Sequence, residues 1–115
     1  MKKIALFAFN GEFMCFMHVL LNSLDMDEQG YEVRLIIEGA ATKLIPELSK
    51  KEGQGSKLYQ KVKKKGLIAG VCRACSVKMG VTKEVEKEEL KLLDEMSGHP
   101  SVATYLSNGF EIMIF

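Results

Sequence analysis

The sequence is short of cysteine, of net charge and of long apolar runs, and each shortage closes off a class of protein. Three cysteines, Cys15, Cys72 and Cys75, stand among 115 residues. An odd, sparse set is not the disulfide framework of a small secreted domain. It suits a reducing compartment, where thiols stay free for metal or redox chemistry. The net charge is +1, so no global field draws the chain to nucleic acid or to a membrane surface. No apolar stretch reaches the ~18 residues a membrane span needs. Met1-Lys2-Lys3 followed by Ile4 to Phe9 could open a secretory signal, but Asn10-Gly11-Glu12 interrupts the run and no small-x-small cleavage site follows. The expected location is therefore the cytoplasm. The glycines of a dinucleotide fingerprint and the P-loop pattern are also missing, and no Ser/His/Asp arrangement stands out.

What is there is the composition of an ordinary globular domain, 47% apolar and 27% charged. Its length predicts one domain over residues 1–115, large enough to bury a core without staples. Short, continuously apolar runs alternate with helical segments. Ile4 to Phe9, Tyr31 to Glu38, Leu67 to Cys72 and Phe110 to Phe115 read as strands, most of them buried on both faces. Helices are expected over Glu12 to Gln29, over Ala41 or Thr42 to Lys51 (weakened by Pro46), and over Ser56 to Lys65 with Ser56 as cap. Arg73-Ala74-Cys75 is expected as a turn, then a single helical turn to Met79. A last helix opens with Pro100 at its first position and runs to Ser107. Thr82 to Met96 is ambiguous between helix and a short strand at Leu90 to Leu93. The alternation predicts an open, doubly wound α/β fold, a mostly parallel sheet of about five strands with helices on both faces.

The first helix is apolar almost all round in its first half, through Phe13, Met14, Cys15, Phe16, Met17, Val19, Leu20 and Leu21. One domain covers only one face of such a helix, so a second subunit is expected against it. The lysines at 61 and 63–65 read as a solvated helix face, with docking of an acidic partner as the other use.

Chemistry points to the end of the third strand. Ligands of open α/β sheets gather at the carboxyl ends of the strands, and Cys72-Arg73-Ala74-Cys75 falls there. The thiolate is the reactive form. A helix amino terminus and the Arg73 guanidinium both favour it, so lowered thiol pKa values are expected. If the first and third strands are neighbours, Cys15 and His18 lie close by, and Cys15, His18, Cys72 and Cys75 become a tetrahedral zinc set. The plainer reading makes Cys15 and His18 interface residues. Asn10 and Glu38 should border a pocket at the same edge, Glu38 orienting a ligand, accepting a proton or capping the next helix. His99 reads as a solvated turn histidine, though titratable and at a sheet edge.

Val71-Cys72-Arg73-Ala74-Cys75 with Gly80-Val81 and a following acidic stretch resembles the DsrE/DsrF-like (sulfur-relay) family. The likeness extends over the opening strand, Glu38-Gly39 and the closing Gly109-Phe110-Glu111-Ile112 strand. The resemblance implies a doubly wound fold, assembly into trimers or hexamers, and a cysteine that carries sulfur as a persulfide. The spacing to Gly80 assigns that role to Cys72, with Arg73 stabilising the anion and Cys75 resolving the persulfide. It implies a sulfur-donor or acceptor protein as partner and no cofactor beyond the covalent sulfur. The rival reading is a metal- or ligand-binding oligomer without transferase activity.

Overall fold

The computed structural model describes all of residues 1–115. Five parallel strands form one sheet: β1 (Lys3–Ala8), β2 (Glu32–Ile37), β3 (Ile68–Cys72), β4 (Leu92–Leu93) and β5 (Glu111–Ile114), in the order β4-β3-β2-β1-β5. Between them run α1 (Phe13–Glu28), a 3₁₀ helix over Gly39–Leu44, α2 (Ile45–Leu48), α3 (Ser56–Lys64), α4 (Arg73–Lys78), α5 (Thr82–Lys87) and α6 (Val102–Ser107). No helix is long and apolar enough to cross a membrane.

The two faces of the sheet follow the strand period of two. Ile4, Leu6 and Ala8 of β1, with Val33, Leu35 and Ile37 of β2, meet Phe16, Val19 and Leu20 of α1, Ile45 and Leu48 of α2, and Tyr59 and Val62 of α3 in the main core. Ala5, Phe7, Ile36 and Leu93 point the other way, toward Phe110 and the α6 residues Val102 and Tyr105. The sheet is covered on both faces over β1 and the end of β2, which is why Ile4 to Ala8 and Leu35 to Ile37 are unbroken apolar runs, while Glu32 and Arg34 border an open concavity on the α6 face and β5 is largely exposed. Each fully buried Leu, Ile or Phe contributes about 1.5–3 kcal/mol, so the larger face dominates stability.

Several local expectations change. β1 is flanked by β2 and β5 rather than by β3, so β2 separates the loops after the first and third strands. No turn intervenes after β3. The helix starts directly at Arg73 with Cys72 as its cap, and Cys75 N–H donates to the Cys72 sulfur at 3.3 Å. Ser56 does not cap α3; the cap is Gly55, and Ser56 Oγ donates to Lys50 O at 2.6 Å. The last helix is capped by Ser101 and begins at Val102, leaving Pro100 outside it. The ambiguous segment divides into α5 and the two-residue strand β4. The lysine cluster is partly structural, since Lys63 pairs with Glu88 and Lys65 with Asp27.

Gly70 lets β4 come close to β3. A Cβ there would lie 2.6 Å from Lys91 O and 2.7 Å from Leu93 Cγ. That approach brings the segment after β4 over the end of β3.

Candidate thiol–imidazole site

The segment after β4 folds back through a tight turn. Met96 and His99 exchange both backbone hydrogen bonds, at 2.8 and 2.9 Å, around Ser97 (φ 49°) and Gly98 (φ 89°). Positive φ at both central residues is what such a turn demands, and glycine meets it at little cost. Ala74 N–H donates to Gly98 O at 2.9 Å, pinning the turn to α4. His99 Nδ1 then stands 3.1 Å from Cys72 Sγ and 3.9 Å from Cys75 Sγ. The two sulfurs and a ring nitrogen of His99 all lie within 4.8 Å of one another.

Cys72 is held from several sides. Its sulfur accepts the Cys75 N–H and lies 3.8 Å from Gly98 O, its carbonyl accepts the Ser76 hydroxyl at 2.7 Å, and the residue has 0% of its surface exposed. Cys75 and His99 are half-buried. The expected lowering of the Cys72 thiol pKa is overturned: burial pushes it up to about 12, with the hydrogen bond and charge of the Cys75 thiol and the charge of Glu38 adding to the rise. The Cys75 N–H is the one contribution that lowers it. Arg73 does not answer the sulfur, because its Nε donates to Asp94 Oδ2 at 3.0 Å and both side chains face solvent. Burial thus favours the neutral form of the Cys72 thiol, with His99 Nδ1 in reach of its proton.

Glu38 ends β2 beside this cluster. Its side chain makes no capping hydrogen bond to the 3₁₀ helix. Its carboxyl pKa is raised by burial and held back by the nearby charge of His99. Asn10 is occupied locally, its Oδ1 accepting the Glu12 N–H at 2.8 Å.

Cys15 and His18 lie elsewhere. They line a shallow depression of ≈ 380 Å³ with Glu12, Met14 and Phe115. Glu12 accepts the Cys15 N–H at 3.0 Å, and its carboxylate raises the Cys15 thiol pKa through a side-chain hydrogen bond. Neither residue belongs to the group that could hold a metal; His99 takes the place foreseen for them. Two signals for His99 were available. Ser97-Gly98 is a turn dipeptide, and it follows Leu93, the end of a strand at the functional edge, after only Asp94-Glu95-Met96.

The largest concavity, ≈ 920 Å³, lies on the α6 face, bordered by Lys3, Arg34, Asp94, Tyr105 and Phe110. Cys72, Cys75 and His99 line none of the cavities. Cys72 is sealed beneath Cys75 and His99, the two members of the group that keep part of their surface in solvent.

No family model matches the chain. It is 34% identical over 97 residues to the uncharacterized protein MJ0733 of Methanocaldococcus jannaschii, covering 84% of this chain and 77% of that one. An uncharacterized protein of Archaeoglobus fulgidus is 51% identical over 45 residues, which cover 39% of this chain and 72% of the relative. Among solved structures, the conserved protein of unknown function BT1422 from Bacteroides thetaiotaomicron superimposes with a TM-score of 0.74 at 17% identity, over 99% of this chain and 95% of that one. That likeness concerns the fold alone.

Proposed function

We propose, for a chain that belongs to the same family as the uncharacterized protein MJ0733, that it is a sulfur carrier working by thiol exchange at Cys75 and Cys72, a sulfurtransferase-like component of a sulfur relay. The observation that carries the reading is the meeting of Cys72 Sγ, Cys75 Sγ and His99 Nδ1 at the carboxyl edge of the sheet. Two thiols and a base are the parts such exchange needs. The resemblance of the Cys72 to Gly80 segment to the sulfur-relay family supports it from the sequence side.

Accessibility divides the roles differently from the spacing argument. A donor must touch the sulfur it loads, and Cys75 is the more exposed of the pair. The Cys75 thiolate attacks the outer sulfur of a donor persulfide R–S–SH. The new bond gives Cys75–S–SH, and the donor leaves as R–S⁻. An acceptor thiolate then takes that outer sulfur and returns Cys75 as thiolate. Without an acceptor, the Cys72 sulfur attacks the inner sulfur of Cys75–S–SH while its proton passes to His99 Nδ1. HS⁻ leaves and a Cys72–Cys75 disulfide remains, to be reopened by a dithiol reductant. The raised pKa of Cys72 keeps this second step dependent on His99.

Intact mass after exposure to a small persulfide donor, in the presence of chelator, tests the reading. At early times, before Cys72 closes the disulfide, the wild type should gain about 32 Da, one sulfur atom; left without acceptor it should end about 2 Da below the reduced chain, while Cys72→Ala should keep the gain. The gain should disappear in Cys75→Ala and persist in Cys15→Ala. A gain that survives Cys75→Ala and is lost in Cys72→Ala returns the carrier role to Cys72. One that survives both substitutions ends the proposal.

A further inference from the structure

We propose that Cys72 Sγ, Cys75 Sγ and His99 Nδ1 form a three-ligand zinc site that leaves the fourth tetrahedral position to solvent or to an incoming thiolate. The inference stands on the placement of these three atoms and does not need the sulfur-transfer reading. Zinc takes thiolate sulfur at about 2.3 Å and imidazole nitrogen at about 2.0–2.1 Å in tetrahedral array. Those bond lengths put a sulfur and a nitrogen on one ion about 3.6 Å apart, and two sulfurs about 3.8 Å apart. The observed sulfur-to-nitrogen distances of 3.1 and 3.9 Å straddle the first value, and all three donors fall within 4.8 Å of one another. Small side-chain rotations suffice to seat an ion.

The donor set is specific. Two thiolates and an imidazole suit zinc far better than magnesium or calcium, which take oxygen. Backbone bonds fix the frame: Cys72 and Cys75 are joined through the Cys75 N–H, and His99 is aimed by the Met96–His99 turn that Ala74 holds against α4. Glu38 stands outside the group of three yet near enough for its charge to be felt by His99 and Cys72. Binding balances as one Zn²⁺ taking up two thiols and one neutral imidazole and releasing two protons. The metal form holds both exchange thiols out of reaction, so occupancy sets whether the sulfur edge is open.

Cobalt titration of the reduced, metal-free protein tests this, with no sulfur donor present. One Co²⁺ per chain should give the intense visible absorption of a tetrahedral ion and a thiolate-to-cobalt band in the near ultraviolet, both erased by one equivalent of Zn²⁺. Zinc should also protect the half-buried Cys75 from a small alkylating agent and leave Cys15 reactive. His99→Ala and Cys75→Ser, at half-buried positions, should weaken binding about 100-fold or more, since even outer-shell changes cost 10–100-fold. Circular dichroism checks that both stay folded. A pale octahedral spectrum, or one unchanged in either variant, overturns the site. Loss of the mass gain with donor while the cobalt spectrum stays normal would sink sulfur transfer and leave the metal site standing.

Discussion

Cys72-x-x-Cys75 and Cys15-x-x-His18 look alike in the sequence, each a pair of metal- or redox-capable residues just after a strand, and the fold treats them in opposite ways. The first pair straddles the β3–α4 junction, where a backbone N–H ties one residue to the sulfur of the other and a turn from the far side of β4 delivers a third group. The second pair sits on the outer face of α1, with only Glu12 answering Cys15 and His18 left exposed. Spacing alone makes a pair; it takes a third group carried in by the topology to make a site.

The sharpest way to break that contrast is oxidation. Diamide should close a Cys72–Cys75 disulfide and leave Cys15 free, since only the first two sulfurs share a cluster. Peptide mapping reads the outcome directly, and a bridge to Cys15 would show the comparison to be mistaken.

Next in size is the support of the turn. Gly70→Ala should destabilise the protein by about 1–3 kcal/mol, because the new methyl meets the Lys91 carbonyl, which belongs to backbone that cannot give way as a side-chain end would. Urea unfolding measures it. If β3 and β4 tolerate the methyl with no loss, their close approach is not what places His99.

The smallest effect concerns pH. Burial raises the Glu38 pKa above its unfolded value, so the native state holds that proton more tightly and loses stability as pH rises through the window above the unfolded pKa. Glu38→Gln should therefore raise the thermal midpoint at pH 7 and leave it nearly unchanged below pH ~4. The gain is small, because the partly exposed carboxylate is screened by solvent and by the nearby charge of His99. A stabilisation larger at low pH would reverse the sign of the argument.

Much of the sheet was legible because β1 and the end of β2 are buried on both faces and so carry apolar runs, while Gly30, Gly66 and Gly109 mark where helices stop. β4 was hard to see because it is two residues long and pairs only along its β3 edge. The thiol pair was visible as a motif. The direction of the Cys72 pKa was not, because it depends on burial, on where Arg73 turns and on how near Glu38 comes. The outer stripe of α1, the helix predicted to be apolar all round, leaves Met14, His18 and Leu21 exposed, with Phe115 bordering the depression beside Met14 and His18.

By itself the sequence determined the α/β class, the strand that ends in Cys72 and the pairing of a second thiol three residues on. These are local properties, set by side-chain type and by the periods of strand and helix. Only the tertiary structure decided which residue joins the thiols, because strand order puts β2 between β1 and β3 and β4 beside β3. Contacts between segments some 25 residues apart follow from how strands pair, which no local pattern encodes.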